Sequence, residues 1–174
     1  SHLRGLICVE VRNPEIAAAQ LAGKQVFLHF ETQSDLGGFY VPHVKVLFFS
    51  TQTLRSRRLN WEPRRVLTHE VGHHVYHLAQ ERKRRSARLR RLLDQWNRAY
   101  KETANRVWTR RLGRGEWEPG HSYFVDPDEG FARYYAMMFA GDDQVTPRQR
   151  WTRLAGLSVH QRLRDLFKQI IQQI

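Results

Sequence analysis

Short runs of β-branched and aromatic residues dominate the first fifty positions, and helical spacing of apolar residues takes over after them. Leu3 to Val11, Gln25 to Thr32 and Phe39 to Ser50 are rich in Val, Ile, Phe and Tyr and are separated by polar breaks, which predicts three strands. Ser34-Asp35-Leu36-Gly37-Gly38 is a turn signal before the third run, and Asn13 to Leu21, centred on three alanines, predicts a short helix. Pro42 interrupts the third run and predicts an edge position or a bend, because proline has no N–H for the ladder.

From Glu62 to Gln80, Val66, Leu67, Val71, Val75 and Leu78 recur mostly three and four residues apart, the spacing of a buried amphipathic helix. Pro63 suits its first turn. Leu89, Leu92, Leu93, Trp96, Tyr100, Ala104 and Val107 make one apolar stripe of a second helix over Ser86 to Arg111. A turn-rich stretch from Gly113 to Pro127 precedes helices over Asp128 to Ala140, Pro147 to Leu154 and Val159 to Ile174. The expected fold class is α+β: a small N-terminal β-sheet packed on the Glu62 helix, then a helical C-terminal half. At 174 residues, with no linker or repeat, the chain is expected to form a single domain over 1–174.

The Glu62 helix carries the chemistry. Leu67-Thr68-His69-Glu70-Val71-Gly72-His73-His74 contains an HExxH pattern. Residues four apart share a helix face, so the imidazoles of His69 and His73 can reach one cation. Glu70 sits about 100° round the helix from His69, placed to hold a water rather than to share the ion. Two nitrogen ligands and a carboxylate base are what a zinc hydrolase requires. Such a centre supplies a water acidic enough to attack a peptide carbonyl near neutral pH, with Glu70 as general base and proton carrier to the leaving amine.

Catalytic zinc takes a third protein ligand. His77 continues the four-residue spacing but lies ~12 Å along the axis from His69 on an unbroken helix, which makes it a poor ligand. His74 points about 100° away from His73 and suits the core or a supporting role. The better candidate is Glu129, in Asp126-Pro127-Asp128-Glu129-Gly130-Phe131-Ala132. Ala132 and Ala136 would let its helix approach another closely. Equally, Asp126 and Glu129 have capping-box spacing with Pro127 at the first helical position. On local sequence the two roles stand level, and Asp126 and Asp128 are lesser oxygen candidates.

HExxH followed after a long gap by Glu129-Gly130-Phe131-Ala132 resembles the gluzincin peptidases, specifically the anthrax lethal factor-like catalytic domains. That group includes the Pro-Pro endopeptidases, and the minigluzincins are similar. The two motifs carry the likeness, and the order of strands before helices fits it. The resemblance implies a zincin-like fold, one zinc ion and Glu129 as its third ligand. It also implies a tyrosine seven residues before that glutamate, a place filled here by Ser122, with Tyr123 one position later. Tyr123 is the first candidate for stabilising the oxyanion and His121 the second. Substrate would be a peptide or protein laid along a sheet edge, for which Gly37 to Tyr40 and Val44 to Leu47 are candidates. A hairpin turn is the plainer role for Gly37 and Gly38.

Charge adds one alternative. The formal net charge is +12, densest over Arg82 to Arg91. The neighbouring apolar stripe leaves those arginines on a solvated helix face, while nucleic acid is the second partner such a run suggests. A zinc-stabilised domain without catalysis is the third reading. No apolar run approaches the ~20 residues that span a bilayer, so no membrane partner is expected. Cys8, the only cysteine, sits in Leu6-Ile7-Cys8-Val9 and is expected to be a small buried apolar side chain. It excludes an intrachain disulfide. Ser1 is not a native start, which is compatible with a removed signal peptide.

Overall fold

A computed structural model describes residues 3–21, 38–51, 63–112, 124–140 and 154–174. Within them the chain is α+β and mostly helical, with a three-stranded sheet. The strands are β1 (Ile7–Glu10), β2 (Gly38–Val41) and β3 (Val46–Phe49), and α1 (Pro14–Leu21) follows β1. Four longer helices complete the order: α2 (Pro63–Arg82), α3 (Ala87–Leu112), α4 (Pro127–Phe139) and α5 (Leu157–Ile171). The strand expected over Gln25 to Thr32, and the helix expected over Pro147 to Leu154 apart from its last residue, lie outside the described residues.

Strand β3 is central, pairing in parallel with β1 and antiparallel with β2. The single strand expected over Phe39 to Ser50 is therefore two. Pro42–Val44 forms a 3-10 turn, and Lys45 closes it in the left-handed region at φ 55°, its N–H donating to Pro42 O at 3.2 Å. Proline bends the chain here, at the end of a strand that lies at the edge of the described sheet, as its position in the run predicts. Left-handed backbone is uncommon for a lysine, so Pro42 announces a bend but not the full reversal that Lys45 closes. The reversal also moves Val46 and Leu47 into the central strand, so β2 is the strand beside α2.

Alternation gives the two sheet faces different neighbours. Val41 and Phe48 pack with Ala18 of α1, joined by Val9 and Val46. Tyr40 and Leu47, buried on the opposite face, lie on the α2 side. Cys8 is exposed, contrary to expectation. Helix α2 covers β2 and β3, and β1 lies at the far side of the sheet from β2.

Local signals start the helices. Asn13 Oδ1 accepts from Ile16 N at 3.1 Å at the head of α1, and Ser86 Oγ accepts from Leu89 N at 3.2 Å ahead of α3. The stripe from Leu89 to Val107 is buried as its spacing predicts, while Arg84, Arg85, Arg88, Arg90 and Arg91 are exposed. Trp96 sits at the centre of the main core, stacked on Tyr100 and edge-on to Phe131 and Tyr134 of α4. Its indole N–H donates to Pro127 O at 3.0 Å, which ties the first residue of α4 to α3. No helix among the described residues is long and apolar enough to cross a membrane.

Candidate metal centre

Two helices meet at the centre because their contact surface is nearly bare. Gly72 of α2 lies against the backbone of α4: a Cβ there would fall 2.6 Å from Ala132 Cα and 2.9 Å from Tyr135 Cβ. Ala132 gives the small-residue approach its position suggested. The contact falls one residue from His73 and three from Glu129.

His69, His73 and Glu129 come together in consequence, with one donor atom from each within 4.8 Å of the others. The two Nε2 atoms are 3.2 Å apart. Glu129 straddles them, Oε2 at 3.3 Å from His69 Nε2 and Oε1 at 3.3 Å from His73 Nε2. Bonds of about 2.05 Å at tetrahedral angles separate donor atoms by ~3.3 Å, so the spacing suits zinc.

Charge and hydrogen bonding point the same way. Asp128 Oδ1 lies 2.8 Å from His73 Nδ1, and a carboxylate can only accept, so Nδ1 carries a hydrogen. In a neutral His73 ring, Nε2 then presents a bare lone pair to His69 Nε2. A hydrogen carried on His69 Nε2, or a cation shared by the two rings, would satisfy it. Glu129 Oε2 is buried 3.3 Å from His69 Nε2 and has no hydrogen-bond partner, an orphaned acceptor that a cation would satisfy. Imidazole and carboxylate donors in this number fit zinc.

Without a metal, protons do part of that work. Burial pulls the His73 pKa down, but hydrogen bonds to Asp128 and Glu129 and their charges carry it up to about 10. Burial pushes Glu129 and Asp128 up, yet the facing histidines hold both carboxyls below their usual range.

Glu70 does not join the cluster of donors. Its Oε2 accepts from the Tyr40 N–H of β2 at 3.0 Å, and a Cβ on Gly38 would fall 2.9 Å from Glu70 Cγ. Gly38 therefore serves close approach, while the turn expected ahead of it falls on residues outside the described ones. Burial raises the Glu70 pKa, more than the neighbouring histidines lower it. The Tyr40 hydroxyl reaches the next turn of α2, 3.0 Å from His74 Nδ1, and His74 is fully buried. One residue of β2 thus holds α2 at two successive turns.

The start of α4 reconciles the two roles weighed for its acidic residues. Asp126 caps the helix by accepting from Asp128 N at 2.9 Å. Glu129 turns to the histidines. Asp128, a lesser ligand candidate by sequence, instead bonds His73 through one oxygen and His77 Nε2 through the other at 3.1 Å. His77 accordingly stands outside the cluster. Its link to Asp128 has no local sequence signal, since 51 positions separate the two. His121 and Tyr123 lie outside the described residues.

Comparison with protein-family models, curated proteins and solved structures finds no match for the chain.

Proposed function

We propose that the chain is a zinc-dependent endopeptidase with a zincin-like fold of gluzincin type. The observation that carries this reading is the His69, His73 and Glu129 donor cluster with a half-buried Glu70 beside it, held separately by an edge strand. A bound zinc ion would supply Lewis acidity, lowering the pKa of water and polarising a carbonyl.

The chain's own residues do the rest. Tyr40 N–H fixes Oε2 of Glu70, leaving Oε1 to take a proton from the attacking water. Burial disfavours the charged carboxylate and so strengthens it as a base. Glu70 then delivers that proton to the leaving amine nitrogen as the peptide bond breaks. The Tyr40 N–H that reaches Glu70 points away from β3, so the outer edge of β2 runs beside the base. A peptide added along that edge would lie beside the donor cluster, with the Tyr40 N–H already given to Glu70. Tyr123, with His121 second, is the proposed hydrogen-bond donor to the developing oxyanion.

Glu70→Gln tests the reading. It should keep zinc at about one per chain and cut hydrolysis of a mixed peptide library by at least ~100-fold, the usual contribution of a positioned general base. Zinc retention without hydrolysis by the wild type would favour a zinc-stabilised binding domain instead. Unchanged hydrolysis in the variant would remove Glu70 from the mechanism.

A further inference from the structure

Two adjacent carboxylates grip His73 from opposite sides. Glu129 faces Nε2 at 3.3 Å, and Asp128 holds Nδ1 at 2.8 Å. Helical geometry does not require this of neighbours, since successive residues diverge by about 100°. It arises because His73 lies across the first turn of α4, where residues 128 and 129 pass on either side of the ring. The cap made by Asp126 on the Asp128 N–H fixes that turn. Asp128 has a second donor in His77 Nε2 at 3.1 Å, so both of its oxygens are engaged. His77 is one helical turn beyond His73, and its ring lies against Tyr40 at 5.9 Å between centroids.

From this arrangement we infer that Asp128 and His77 form an outer chain that positions His73 for the metal, with His77 orienting Asp128 and Asp128 orienting the ring. Asp128 keeps the hydrogen of His73 on Nδ1, which aims the Nε2 lone pair at the donor cluster. It also stops the ring from turning by half a revolution, which would present the other nitrogen. Neither residue touches the metal position, and both act through His73. The inference rests on the zinc-site reading but adds two residues to it. A ligand held by a carboxylate partner commonly loses about 10- to 100-fold in metal affinity when that partner is removed.

The test is zinc affinity by chelator competition, with the visible spectrum of the cobalt-loaded protein and melting of the metal-free protein as companions. Asp128→Ala should weaken zinc binding roughly 10- to 100-fold and alter the cobalt spectrum, which reports ligand geometry directly. His77→Ala should weaken binding by a smaller factor. His77→Gln should restore much of it, because its side-chain amide can donate to Asp128. A residue that served only folding would lower the metal-free melting temperature and leave affinity and spectrum unchanged, and that result in D128A would overturn the inference. If D128A does not fold, the His77 pair decides: equal zinc affinity in wild type, H77A and H77Q would overturn it. A wild type that binds no zinc would refute the metal centre itself, and this inference with it. Tight wild-type binding with unaffected variants would refute only the outer chain.

Discussion

Gly72→Ala adds one methyl group where α2 and α4 touch, and the structure says what that must do. The new carbon would start 2.6 Å from Ala132 Cα, 2.9 Å from Tyr135 Cβ and 3.1 Å from Ala132 O. Carbon atoms pack at about 3.5–4.0 Å, so the helices must separate by roughly 1 Å at this point. Two of the obstructing atoms belong to backbone, which cannot rotate aside. The effect on stability is modest, because overpacking costs about 1–3 kcal/mol while replacing glycine within a helix recovers up to ~1 kcal/mol. Metal binding is less forgiving, since ligand distances tolerate only about ±0.2 Å. Separation of α2 from α4 draws Glu129 away from His69 and His73 together. The variant should remain folded, melt within several degrees of wild type without metal, and bind zinc at least tenfold more weakly. Thermal melting and chelator competition measure the two effects separately. Wild-type zinc affinity in folded G72A would refute the claim that this crossing sets the ligand geometry.

Two further predictions follow from the hydrogen bonding. With its folded pKa raised to about 10, above the ordinary value of 6.5, His73 is protonated in the metal-free protein at pH 8. Its ion pairs stabilise the metal-free fold fully below about pH 6.5 and cease to do so as pH rises through about 10. Zinc binding at pH 8 should then release about one proton, measured by calorimetry in buffers of different ionisation enthalpy. No release would contradict a His73 held charged by Asp128 and Glu129. Tyr40→Phe removes the buried hydroxyl facing His74 but keeps the backbone N–H on Glu70. It should cost about 1–3 kcal/mol in denaturant unfolding while zinc content stays unchanged. A neutral substitution would show that the hydroxyl does not clamp α2.

Sequence carried the parts of this centre that are local to one helix. His69, Glu70 and His73 are read from spacing, because a helix face is a periodic object and α2 declares itself by its apolar positions. Glu129 needed more, since the cap and the ligand roles use the same local pattern; the structure gives the cap to Asp126 and the histidines to Glu129. Asp128 and His77 were illegible as a pair because only the α2–α4 crossing brings them together. Gly72 looked like a wildcard within the motif for the same reason. In the sheet, Pro42 marked the bend, while the full reversal closed by a left-handed lysine had no signal in the apolar run. Cys8 sits in an apolar run on the strand at the opposite end of the sheet from β2, where its side chain is exposed. What failed in each case was knowledge of the opposing surface.

The most direct measurement is zinc content and affinity of the purified protein beside Glu129→Ala. The account predicts about one zinc per chain in wild type and clearly reduced occupancy in the variant, because one of three donors is gone. Equal zinc in both proteins would contradict Glu129 as a ligand, and no zinc in wild type after reconstitution would contradict the metal centre altogether.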